Sequence, residues 1–208
     1  MREWTRRTES VVRLGTDLIS AGRVDKYCVV LWSRSSQRLS DKENAMSDTF
    51  DVVVSRTFSV PPEQAWRAWS EADLVKRWWG PTGFSCPAAD VDLRVGGRTL
   101  VAMRAPAEFG GGDMYSTWSY TEVAPHTRIA YVFNFADPQG NRLVPADLGM
   151  PPGIPDDGEH VVTFSETDAG STTMTVVEHG YTREEVRDMS QAGLEQCVDK
   201  MAAIFTSP

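Results

Sequence analysis

Three histidines, His126, His160 and His179, and three cysteines, Cys28, Cys86 and Cys197, are the side chains of this sequence whose types most readily do chemistry. A hydrolase needs a nucleophile, a base and a third group that fixes the base. None of the histidines sits in a motif that supplies them. His126 lies in an expected turn, His160 opens an expected strand, and His179 follows Glu178 on the opposite face of a strand, where adjacency in sequence does not mean contact. The sequence has no nucleophile elbow, no phosphate-cradling glycine loop and no His-Glu-x-x-His pair. An odd number of cysteines without short ligand spacing argues against a disulfide framework and a zinc site, so no catalytic group, metal or cofactor is expected. Arg56 and Arg94, inside β-rich segments, are the polar candidates. They are placed either to clamp a carboxylate or to form salt bridges with Asp92 or Glu178.

The elements that must position such groups are read from periodicity. TFDVVVSRTFS at 49–59 alternates as a strand, and Pro61-Pro62-Glu63 opens a helix through Trp69. Ser70 with Asp73 resembles a capping box for a second short helix over 74–79, which Gly80 and Pro81 end. Strands are expected over 84–95, 98–104, 114–123, 128–135, 160–166 and 172–179. In the fourth of these, Ile129, Tyr131, Phe133 and Phe135 share one face, and a face that aromatic needs a cover. The last segment supplies it. Thr182 and Glu185 suggest a capping box, and Val186, Met189, Gly193, Cys197, Met201 and Ile204 recur at helical spacing. Residues 136–158 are expected to stay out of the sheet because of Pro138, Pro145, Pro151, Pro152 and Pro155. Their apolar content, Leu143, Val144, Leu148, Met150 and Ile154, suits a lid rather than a plain linker, with disorder or permanent packing on the sheet as the alternatives. The fold class is α+β: a curved antiparallel sheet of about seven strands wrapped around a long C-terminal helix, with two short helices after strand 1.

Charge and composition narrow the partners. Hydrophobic residues make up 41% of the 208, enough for a real core, and no run of about 18 apolar residues suits a membrane span. Residues 1–45 carry nine Lys or Arg against six Asp or Glu, and residues 46–208 carry 12 against 23. The second segment therefore repels phosphate backbones, and nucleic acid is not an expected partner. The polar run ahead of Met46 reads as disorder or as sequence absent from the native protein, so 1–45 is taken as an extension and 46–208 as the domain. No secretory signal is evident, and a cytoplasmic location is expected.

The run RTFSVPPEQAWRAWSEADLVKRWWGPTGF, followed by DLRVGGR at 92–98, resembles the opening signature of the activator of heat shock protein 90 ATPase homologue-like proteins of the SRPBCC (START-like, birch-pollen-allergen-like) superfamily. Tyr120, Glu122, Val123, Pro125, Arg128 and Ile129, then 175–180, continue the match across nearly all of 50–206. The resemblance implies a helix-grip fold with a cavity between sheet and long helix. Members of the superfamily bind apolar small molecules, act as enzymes or assist chaperones. Leu194 stands where relatives often carry tryptophan, and the extension has no counterpart.

Within that frame the candidate ligand-binding residues are Trp78, Trp79, Trp118, Tyr120, Tyr131, Phe133, Gly193, Cys197 and Met201. Trp78 and Trp79 point about 100° apart on a helix, so one is a candidate for the cavity mouth, while both could instead seat the short helices on the sheet. The aromatic stripe serves a core as well as a pocket wall. Gly193, costly in a helix interior, leaves room for a ligand or for close helix-to-sheet contact. The leading expectation is a non-enzymatic carrier or sensor of a small apolar molecule. A co-chaperone-like interaction protein and an enzyme acting on an apolar molecule are the alternatives. Further candidate partners are a chaperone and a second copy of the chain.

Overall fold

The alternation that begins at Phe50 becomes β1 (Phe50–Phe58), whose Val52, Val54 and Phe58 are buried, with the half-buried Arg56 on the same face, while Val53, Ser55 and Thr57 face outward. The computed structural model describes residues 49–167 and 170–206. The expected 1–45 extension, Cys28 and the Met46 start lie outside them, as do the first two residues of the expected turn at 168–170.

Two short helices follow. α1 (Pro62–Ser70) starts on a proline, whose fixed φ suits a first turn, and buries Ala65, Trp66, Ala68 and Trp69. α2 (Ala72–Trp78) buries Val75 and Trp78. The capping box expected at Ser70 does not form, because Ser70 is still helical. Glu71 takes the extended N-cap conformation (φ −106°, ψ 119°) and makes no side-chain cap.

The remaining strands are β2 (Ser85–Asp90), β3 (Arg98–Arg104), β4 (Asp113–Ala124), β5 (Arg128–Ala136), β6 (Arg142–Leu143), β7 (Gly158–Thr167) and β8 (Ser171–Tyr181). All pair antiparallel in the order β1-β8-β7-β5-β4-β3-β2, with β6 added to β5, giving one curved, unclosed sheet. α3 (Glu184–Thr206) completes the α+β helix-grip arrangement. It begins one position later than a Thr182 cap would place it.

Two strand expectations are corrected. The segment over 84–95 is a strand only to Asp90. Pro87 sits in a register shift of this edge strand, and beyond Asp90 the chain turns through Asp92 and Arg94, whose backbones bond at 3.0 Å. The loop over 136–158 does join the sheet, through Arg142 and Leu143 opposite Ala136 and Phe135. Its prolines fall outside that pairing. The Asp137 carboxylate accepts from the backbone N–H of Gln139 and Asn141, closing the turn that reverses the chain.

The inner face of the sheet has two levels. At one, Trp69, Trp78, Trp118, Ile129, Tyr131, Val162, Met174 and Val176 are fully buried, the rings meeting at 4.8 Å (Trp69–Trp78) and 5.5 Å (Trp118–Tyr131). At the other, the sheet and α3 part and a cavity begins. Among the described residues no helix is long and apolar enough to cross a membrane.

Candidate functional site

The cavity has a volume of about 320 Å³, near the lower end of the range typical of small-molecule sites. Its sheet wall continues the core stripe of each strand by one or two positions. Phe133 and Phe135 extend Ile129 and Tyr131 on β5, Met114 extends Trp118 on β4, and Gly158 and His160 extend Val162 on β7. α3 supplies Val186, Met189, Ser190, Gly193, Leu194 and Cys197, a set spaced by threes and fours that forms one helix face. Trp79, Gly80 and Pro81 close one side. Met150, Pro151, Ile154 and Pro155 of the loop after β6 close another. Met189, 59% exposed, stands at the rim.

Local bonds hold these walls in place. Lys200 Nζ donates to the carbonyls of Gly80 and Phe84 at 2.7 and 3.1 Å, tying α3 to the turn after α2, and burial lowers its pKa from the usual lysine range. Asp157 accepts Arg142 through both carboxylate oxygens at 2.9 and 3.0 Å, and Asn134 Nδ2 at 2.7 Å. The Arg142 guanidinium, then Asn134, holds the Asp157 carboxyl below the usual range. Thr182 N–H donates to Gly153 O at 3.0 Å. The loop over 136–158 is thus anchored at both ends, with its apolar middle over the cavity.

Four polar side chains interrupt the apolar lining. Glu178, 7% exposed, and His160, 5% exposed, are register partners on β8 and β7, with His160 Nδ1 3.8 Å from Glu178 Oε1. Tyr181 Oη and Ser190 Oγ donate to Glu178 Oε2 at 2.7 and 3.1 Å, and the two hydroxyls lie 2.7 Å apart. His160 Nδ1 lies 3.3 Å from Tyr131 Oη, and its ring stacks on Phe133 at 5.2 Å. Burial lowers the His160 pKa below 6.5, Glu178 opposing that shift and His179 adding to it. Burial, then the Glu178 charge, pushes up the Tyr181 and Tyr131 phenols.

A bulge assembles this cluster. Glu178 and Tyr181 are three apart, so a regular strand would send them to opposite faces. Between them Gly180 adopts φ +95°, and the β1 pairing slips from Val52↔Glu178 to Phe50↔Tyr181, leaving an extra residue on β8. Both side chains then reach the cavity. Gly158 adds room beside them, since a Cβ there would stand 3.0 Å from His160 Nε2.

Of the residues singled out from sequence, Trp79, Phe133, Gly193 and Cys197 line the cavity. Trp78, Trp118, Tyr120, Tyr131 and Met201 do not. They lie in the core level of the same faces, at 3% exposure or less. Trp78 Nε1 donates to Ala68 O at 2.7 Å, and Tyr120 Oη meets Thr99 Oγ1 at 2.6 Å, with burial pushing its phenol up to about 12. Burial pushes the Cys197 thiol up to about 11, which keeps it a neutral, apolar wall element. A Cβ on Gly193 would meet nothing within 4 Å, so this glycine borders open space, not a close helix-to-sheet contact. Arg56 is half-buried and Arg94 exposed, and they pair with Asp199 at 2.6 Å and Asp92 at 3.0 Å. His179 bonds Asp51 at 2.9 Å on the outer face. Glu178, Tyr181, Ser190 and His160 were not marked as site residues by sequence reasoning, although an isolated glycine at 180 inside a strand is a bulge signal. Among the described residues no cluster of His, Cys, Asp and Glu suits a metal ion.

The family model described as Activator of Hsp90 ATPase homolog 1-like protein matches residues 59–206. Solved structures share the fold. A protein from Chromobacterium violaceum is 25% identical, with TM-score 0.61, covering 78% of this chain and 100% of that one. A protein from Mycobacterium smegmatis is 24% identical, with TM-score 0.61, over 78% and 94%. A protein from Silicibacter pomeroyi is 19% identical, with TM-score 0.60, over 76% and 98%. No curated protein matches the chain.

Proposed function

Since the chain belongs to the family of Activator of Hsp90 ATPase homolog 1-like proteins, we propose that it is a non-enzymatic carrier or sensor that holds a small apolar molecule between its sheet and α3. One observation carries this reading. The inner face of the sheet and the facing side of α3 part beyond the core, and the space between them is lined by Met103, Met114, Phe133, Phe135, Leu194 and Cys197, with Gly193 leaving it open. Packed interiors seldom leave a void of that size, because lining atoms without partners forfeit dispersion contacts. A ligand restores those contacts. The protein is proposed to work in the cytoplasm, and the anchored loop over 136–158 to act as its lid. A co-chaperone role has the family's name in its favour.

Native mass spectrometry of the freshly purified full chain tests the proposal. An added mass that dissociates on collision and partitions into organic solvent is expected. The mass of the bare chain, together with no uptake of octan-1-ol, would overturn it.

A further inference from the structure

Glu178 places a carboxylate in a cavity that is lined, apart from His160, Tyr181 and Ser190, by apolar side chains and glycines, and only half of that carboxylate is satisfied. Oε2 accepts from Tyr181 and Ser190. Among the described residues Oε1 accepts no hydrogen bond. The imidazole nearby does not supply one: His160 Nδ1 stands 3.8 Å off and is engaged with Tyr131 Oη at 3.3 Å. Among the described residues no lysine or arginine lies within salt-bridge distance of Glu178, whose side chain is 9% exposed. Burial also keeps the His160 ring neutral near pH 7, so it brings no positive charge. A carboxylate withdrawn from water is costly unless a counter-charge and donors complete it. Two donors are built in, and the counter-charge is missing.

Resting on the reading of this cavity as an apolar-ligand site, we propose that its ligand is a lipophilic amine, whose ammonium head pairs with Glu178 Oε1 while its apolar body fills the space between Phe133, Phe135 and Gly193. The head would sit at the β8–α3 seam, where the bulge at Gly180 turns Tyr181 inward to brace the carboxylate. An alcohol could give Oε1 one hydrogen bond but no counter-charge. A fatty acid would set two carboxylates against each other.

Isothermal titration of the full chain at neutral pH with octylamine, octan-1-ol and octanoate separates these heads on one tail. Octylamine is expected to bind at least about tenfold tighter than octan-1-ol, because both heads donate to the carboxylate but only the ammonium brings the opposite charge, with octanoate weakest. Glu178→Gln should bring octylamine down to octan-1-ol. Should that variant not fold, the carboxyl carbon of Glu178 in the wild-type chain is followed by NMR and should shift with octylamine and not with octan-1-ol. Equal affinity for octylamine and octan-1-ol, or a preference that survives Glu178→Gln, would overturn the amine and leave the apolar cavity standing. No binding of any of the three would overturn both.

Discussion

His160 on β7 and Glu178 on β8 face each other as register partners across the inner wall of the sheet, 3.8 Å apart and both more than nine-tenths buried. Folding takes the imidazole out of water and lowers its pKa below the ordinary 6.5, the Glu178 charge only partly opposing this. Between the folded value and 6.5 the unfolded chain therefore holds a proton that the folded chain does not. Stability from this group is complete above about 6.5 and is lost as pH falls toward the folded value, at up to about 1.4 kcal/mol per pH unit. The lowered carboxyls of Asp113, Asp137 and Asp157 act below 3.8, outside this window. Urea unfolding from pH 7.5 to pH 5 should show the slope in the wild type and a shallower one in His160→Gln. Equal slopes would contradict the assignment.

Gly193 separates helix propensity from cavity volume. An alanine there meets no neighbour, so Gly193→Ala should raise stability by about 0.5–1 kcal/mol. Gly193→Trp should remain folded and lose octan-1-ol binding, because the ring enters the cavity. Undiminished binding in a folded Gly193→Trp would mean that the ligand lies elsewhere.

Trp78 and Trp79 are neighbours in sequence with different surroundings. Trp78 is fully buried and bonded to Ala68 O, so Trp78→Phe should cost about 1–3 kcal/mol for the carbonyl left unpaired. Trp79 Nε1 has no hydrogen-bond partner, and its ring lines the cavity. Trp79→Phe should cost less and change octan-1-ol affinity more. Denaturation curves with matched titrations would show the two effects reversed if the cavity lay on the Trp78 side.

Asp157 joins the cavity loop to β5 and β6 through Arg142 and Asn134. Asp157→Ala should speed amide exchange across 142–155 while leaving β7 and β8 protected, since only a local opening becomes easier. In the wild type, octan-1-ol should slow exchange over 145–155. Identical exchange with and without it would remove the lid from the account.

The element order was legible because period-two and helical spacing survive without tertiary help, and the spacing of Val186, Met189, Gly193 and Cys197 marks one face of α3. Height along that face was not legible. Met201 shares the stripe with Cys197 but falls at the core level, as Tyr131 does relative to Phe133, because periodicity reports the face a residue takes and not where packing gives way to space. The polar cluster was hidden for a different reason. A reading by strict alternation ends the last strand near His179, whereas the bulge at Gly180 carries it to Tyr181 and turns that ring inward. Ser190 joins only through the register of α3 against β8.

The methionines offer the most direct test of a ligand between sheet and α3. Met103, Met114, Met150 and Met189 line the cavity from β3, β4, the loop and α3, while Met174 and Met201 are fully buried in the core. With methyl-13C methionine in the full chain, octan-1-ol should shift the first four resonances along one saturable curve and leave Met174 and Met201 in place. Shifts confined to Met174 and Met201, or none at saturating octan-1-ol, would contradict the central claim.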